Sequence, residues 1–128
     1  MKATDACPCG SGRRYADCCG QLHFSAKNQI SAEALMRSRY SAYVLRLEDY
    51  LLATWHPSKR PSELDLVADP TKWLGLDIKH CQQQDETHAT VEFVARYRIA
   101  GRGHRLHEIS RFVREDGCWL YVDGDIIA

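Results

Sequence analysis

Four of the six cysteines in this chain fall in one short run, Cys7-Pro8-Cys9-Gly10-Ser11-Gly12-Arg13-Arg14-Tyr15-Ala16-Asp17-Cys18-Cys19. Cys7 and Cys9 are separated by one residue; Cys18 and Cys19 are adjacent. Gly10 and Gly12 can adopt positive φ at little cost, which a tight loop between the two pairs requires. Four thiolates gathered this way suit a closed tetrahedral zinc shell. The same residues also serve redox exchange, or disulfides in an oxidising compartment. A bridge between adjacent Cys18 and Cys19 strains the intervening peptide, so disulfides would have to run across to Cys7 and Cys9. The stretch from Met1 to Gly20 has no apolar run of signal-peptide kind. Outside secreted proteins a cysteine cluster is more often metal-binding or redox-active than bridged.

The elements that would carry this cluster are legible in the rest of the chain. Gln21 to Ile30 is polar and aperiodic and reads as a connector. Ser31 suits a helix N-cap, with Glu33 placed to favour the helix start. From Ala32 to Leu47, Met36, Tyr40, Tyr43, Val44 and Leu47 fall on one helical face, with Arg37, Arg39 and Arg46 mostly off it. A second helix is predicted from about Leu47 to Trp55, stopped by Pro57. Ser58 to Pro70 reads as a loop with a short helical turn at Glu63 to Val67.

Strand patterns follow. Leu76, Ile78 and His80 alternate with Asp77 and Lys79. Val91, Phe93, Ala95, Tyr97 and Ile99 share a face opposite Glu92, Arg96 and Arg98. His104 to Arg114 and Cys118 to Ile127 complete four strands, joined by turns at Asp85-Glu86-Thr87, Gly101-Arg102-Gly103 and Asp116-Gly117. Helices followed by an antiparallel meander define an α+β class. The third strand is clean on neither face: Ile109 and Val113 accompany Arg111, whereas Phe112 accompanies Glu108 and Ser110. Polar residues facing an apolar concavity are how a pocket is lined. Cys81 and Cys118, far apart in strand-like stretches, are expected to be buried, inert thiols.

The chain is 45% apolar and 27% charged, with zero formal net charge and a pI near 7. Net charge therefore gives no reason to expect nucleic acid or an anionic membrane. No apolar run approaches the ~20 residues of a membrane span, and a cytoplasmic protein is expected.

Cys7-Pro8-Cys9-Gly10-Ser11-Gly12, Tyr15 and Cys18-Cys19-Gly20 resemble the SEC-C motif, a small bacterial zinc module that also ends the SecA preprotein translocase. The resemblance implies Cys7, Cys9, Cys18 and Cys19 as ligands of one structural zinc ion. It also implies docking of a protein partner, and of membrane or ribosome surfaces, rather than catalysis. Arg13 and Arg14 would then balance the doubly negative centre or meet a partner.

Three further blocks, Leu35 to Tyr43, Tyr50 to Pro57, and Ser110-Arg111-Phe112 with Trp119 to Gly124, resemble the uncharacterised bacterial YchJ family over nearly the whole chain. That resemblance implies a zinc motif in residues 1–24 and a nuclear-transport-factor-2-like domain in residues 25–128. The domain would be a cone of helices laid across a curved antiparallel sheet with an internal cavity. Cones of this kind pair through their sheets, bind small molecules or act as enzymes. Within such a cone, His56 at a helix end would sit at the cavity mouth as a general base. Arg96 and Arg111 would hold an anionic ligand, and Asp123 would supply a carboxylate. The alternative is that these arginines pair with Glu92 and Glu108 across strands. Trp73, Trp119 and Tyr121 read as core. Arg96 to Arg114 holds six arginines against one glutamate, a bias that would suit RNA or the ribosome if the side chains shared one face.

The expectation is thus a zinc-dependent adaptor docking a protein or ribonucleoprotein partner. Its rivals are a small-molecule-binding or enzymatic cone and a purely structural zinc.

Overall fold

A computed structural model describes residues 2–24 and 31–127. A single 3-10 turn, Tyr15–Asp17, leads into α1, Cys19–Phe24; α2 covers Ala32–Leu45 and α3 Glu48–Ala53. Four strands follow: β1 Lys72–Gln83, β2 His88–Ile99, β3 Arg102–Glu115 and β4 Cys118–Ile126. They form one antiparallel sheet in sequence order, so the meander is as expected.

Local chemistry sets the boundaries. Ser31 caps α2, its Oγ accepting from the Ala34 N–H at 3.0 Å, with Glu33 in the first turn. Arg46 ends α2 in the left-handed region, φ 60°, and Leu47 N–H returns to Ala42 O at 2.8 Å. Ala100-Gly101 and Asp116-Gly117 both have two successive positive φ values, the turn form that matches the twist of paired strands.

Some expectations are corrected. Gln21 to Phe24 belongs to α1, because Cys19 opens a helix rather than ending the motif; the rest of the expected connector, 25–30, lies outside the described residues. The helical turn expected at 63–67 is absent; a turn falls instead at 66–68, where Ala68 N–H donates to Asp65 O at 3.3 Å. Strand β1 starts at Lys72, ahead of the alternating stretch.

Helix α2 lies across β1, β2 and β4. It is buried on more than one side: Leu35, Met36, Ser38, Arg39, Tyr40, Ser41 and Ala42 are all inside. One side meets the cysteine run and the other meets the sheet, so a single apolar stripe does not describe it. Leu35, Met36 and Tyr40 share one core with Val91, Phe93 and Phe112, and that core includes Cys7, Cys9 and Cys19. A smaller cluster, Ala42, Tyr50, Leu51 and Leu66, secures α3 and the long loop. No helix among the described residues is long and apolar enough to cross a membrane.

Candidate metal centre and cavity

The loop from Cys7 to Arg13 closes on itself. Cys7 N–H donates to Arg13 O at 2.9 Å and Gly10 N–H to Cys7 O at 3.2 Å. Gly10 and Gly12 hold φ of +80° and +84°, as the tight turn requires. The 3-10 turn then places Cys18, whose N–H donates to Tyr15 O at 3.1 Å, and Cys19 follows at the start of α1.

This brings all four cysteine sulfurs within 4.8 Å of one another. Cys9 Sγ lies 3.6 Å from Cys18 Sγ, and Cys18 Sγ lies 4.0 Å from Cys19 Sγ. A tetrahedral zinc with bonds of about 2.3 Å separates its sulfurs by about 3.8 Å, so the donor set fits. The thiols also crowd one another electrically. Contacts from Cys19 and Cys7 hold Cys9 far below the usual thiol value. Contacts with Cys7 and Cys9, together with burial, push Cys19 far above it. Burial raises Cys18 as well. A dication is what would let all four ionise together.

The surroundings suit such a charge. Arg37 Nη1 donates to Cys9 O at 3.0 Å and lies 3.9 Å from Cys9 Sγ. Ser11 Oγ is 3.2 Å from Cys18 Sγ, and Ser41 Oγ is 3.6 Å from Cys7 Sγ. Arg37 and Ser41 are one turn apart on α2, so the body itself supplies the second ring of contacts. His23 adds a bridge that sequence reasoning missed. Its Nε2 is 2.7 Å from Ser38 O, so Nε2 carries the proton, and Nδ1 takes the Tyr15 hydroxyl at 2.5 Å. Burial lowers its pKa. The outer arc, Gly10 to Arg14, is exposed. Arg14 pairs there with Asp17 at 2.7 Å, and Arg13 donates to the Asp17 carbonyl.

On the other side of α2 lies a cavity of about 240 Å³. Tyr40, Tyr43, Trp55, Trp73 and Phe93 form aromatic walls; Arg39, Glu108, Ser110 and Tyr121 form a polar end. Arg39 is only 3% exposed. Its Nη1 donates to Leu51 O at 2.8 Å and Thr54 Oγ1 at 2.7 Å. Its guanidinium carbon lies 5.0 Å from the centre of the Trp55 ring and 4.6 Å from that of Tyr121. Burial lowers its pKa and raises those of Tyr43 and Tyr121.

The four residues expected at the cavity do not line it. His56 leaves α3 outward, its Nε2 2.8 Å from Glu115, because backbone pairing of Thr54 and His56 with Tyr121 turns Trp55 inward instead. Arg96 sits on the outer face and pairs with Asp77. Arg111 pairs with Asp123 and Asp125, both at 2.6 Å, also outside. Asp123 would share a face with Trp119 and Tyr121 in a regular strand. The register break opposite Arg111 and Phe112 leaves Val122 unpaired and turns Asp123 over. Nor do the arginines pair with Glu92 and Glu108 as the alternative held: Glu92 meets His107 at 2.7 Å. Register pairs Arg96 with Arg105, so Arg96, Arg98, Arg105 and Arg111 share the outer face, where aspartates pair with Arg96 and Arg111.

Sequence reasoning grouped Glu108, Ser110 and Phe112 on one face of β3 but took Arg111, on the opposite face, as the cavity ligand; Glu108 and Ser110 line the cavity instead. It placed Arg39 wrongly, off the apolar face. Trp119 is core as expected, whereas Trp73 and Tyr121 also border the cavity. Cys81 is exposed and Cys118 half-buried, rather than buried as expected. Desolvation and then the neighbouring Glu33 push the Cys81 thiol up to about 11.

Fold and site together define a nuclear-transport-factor-2-like domain carrying a SEC-C motif. Residues 31–124 match the family described as YchJ, middle NTF2-like domain, and residues 4–21 match the SEC-C motif. A UPF0225 protein of Bordetella parapertussis is 65% identical over 123 residues, covering 94% of this chain and 92% of that protein. One from Ralstonia nicotianae is 58% identical over 134 residues, covering 96% and 92%. Among solved structures, a SEC-C motif containing protein from Rhodopseudomonas palustris has a TM-score of 0.83 at 35% identity, over 95% of this chain and 98% of that one. One from Psychrobacter arcticus has a TM-score of 0.80 at 29% identity, over 98% and 85%. The chain belongs to the YchJ-like family of UPF0225 proteins.

Proposed function

We propose that Cys7, Cys9, Cys18 and Cys19 hold one zinc ion as a closed structural centre, and that this centre fixes the motif to the cone so that its outer arc docks a protein partner. One observation carries the reading: Cys7, Cys9 and Cys19 are buried in the same core as α2 and β2, while Gly10 to Arg14 stays exposed. A four-sulfur shell leaves no ligand position for water, so the metal acts on shape rather than on a substrate. Arg37 and Ser41 tie two of the sulfurs to α2, which makes the arc a rigid edge of the body rather than a tethered appendage.

Metal content by mass spectrometry tests the first half, on the full chain purified without added zinc and on its Cys18→Ala/Cys19→Ala variant. About one zinc per chain, lost in the variant together with several degrees of thermal stability, supports it. No zinc in either protein overturns it. For docking, an Arg13→Gln/Arg14→Gln variant, which loses only exposed contacts to Asp17, should retain zinc but lose a bound partner recovered with the wild type. Equal recovery by both would leave a structural zinc without an adaptor role.

A further inference from the structure

The cavity on the far side of α2 plays no part in that reading, and its polar end is chemically incomplete. Arg39 carries five N–H donors, yet its two hydrogen bonds to Leu51 and Thr54 both use Nη1. Tyr43 also contacts the guanidinium. No ion pair among the described residues includes Arg39, although it is buried; a buried charge without a direct partner is costly. Glu108 acts on it through space from the sheet. Glu108 has its own asymmetry. Ser110 and Tyr121 hydroxyls both donate to Oε2, and among the described residues no side chain donates to Oε1. A guanidinium with spare donors and a carboxylate with a spare acceptor oxygen therefore border one aromatic-walled space.

Size and charge narrow what completes it. A cavity of about 150 Å³ takes benzene, so about 240 Å³ takes one ring with a small substituent or a fused pair. Trp55, Trp73 and Phe93 offer flat apolar contact to such a ring. Arg39 and Glu108 already offset each other, so an added anion would face the carboxylate and an added cation the guanidinium. A neutral group with an acceptor and a donor on one edge satisfies both ends.

We propose that this cavity binds a small, planar, uncharged molecule of the aromatic amide or lactam class, its carbonyl oxygen accepting from Arg39 and its N–H donating to Glu108. The ring would lie between the Trp55 and Trp73 walls, and the amide edge would occupy the polar end.

Benzamide is the probe, titrated into the zinc-loaded full chain while tryptophan fluorescence and amide NMR shifts are followed, with benzoate and benzylamine as charged counterparts. Benzamide should bind, and each charged analogue should bind at least about tenfold more weakly. Glu108→Gln should narrow the preference over benzoate and widen that over benzylamine. Ala95→Leu, which fills the cavity, should abolish binding. Gly124→Ala provides a second variant should Ala95→Leu not fold: a Cβ at Gly124 runs into the Glu108 carboxylate, and benzamide binding should fall. Absence of saturable benzamide binding overturns the proposal, as does binding unchanged in the folded cavity variants. Equal or tighter binding of benzoate overturns the assignment of a neutral ligand.

Discussion

Gly20 is where packing and local propensity make opposite forecasts. It is the second residue of α1, just after Cys19, and its φ is ordinary. Helix propensity alone says that Gly20→Ala should stabilise the protein by up to about 1 kcal/mol. The structure says otherwise. A Cβ at Gly20 would lie 2.6 Å from the Tyr15 carbonyl oxygen and 3.1 Å from Tyr15 Cε2. Carbon–oxygen contacts ordinarily begin near 3.3 Å, so about 0.7 Å has to come from the backbone. That same oxygen accepts the Cys18 N–H at 3.1 Å, so it cannot move without moving a metal-ligand candidate. Overpacking of this kind costs about 1–3 kcal/mol. Set against the propensity gain, the expected outcome is a net loss of about 1–2 kcal/mol, or about 5–10 °C in Tm for a domain of this size. Scanning calorimetry of the zinc-loaded wild type and variant reads this directly, and zinc competition with a chelating dye should show weaker retention in the variant. An unchanged or higher Tm with unchanged zinc retention would refute the packing argument.

Two further outcomes follow from the same contacts. Burial lowers the His23 pKa below its ordinary 6.5, so the stability carried by its neutral form is whole above that value and is lost as pH falls through it toward the folded pKa. The Tm difference between wild type and His23→Gln should therefore be largest near pH ~8 and shrink toward pH ~5; a difference that grows on acidification would contradict this. Arg111, with two aspartates on the open face of the sheet, forms an exposed network, so Arg111→Gln should cost about 1 kcal/mol or less in urea unfolding. The same variant should leave benzamide binding unchanged, and a marked loss of binding would return Arg111 to the cavity.

The cysteine cluster was legible because everything that brings it together is local. Two glycines, one short turn and a helix start act within the run Cys7 to Gly20, and their conformational preferences belong to the residues themselves. The order of helices and strands was legible for the same reason, since periods of 3.6 and 2 are properties of short stretches. The cavity was not. Arg39 looked solvated because a helix with neighbours on two sides has no single inner face. His56 was drawn outward and Trp55 inward by backbone pairing with Tyr121, sixty-odd residues away.

Sequence by itself thus determined the motif, the α+β order and the grouping of Glu108, Ser110 and Phe112 on one strand face, but not which face of that strand meets the cavity. Tertiary structure alone decided that the cysteines join the main core, that α2 divides the cysteine cluster from the cavity, and that one residue outside the strand pairing, Val122, turns Asp123 away. The physical reason is range. Turn and strand preferences are settled by neighbours along the chain, whereas a strand's face after a bulge, and the charge a cavity encloses, depend on contacts between distant segments that no local pattern records.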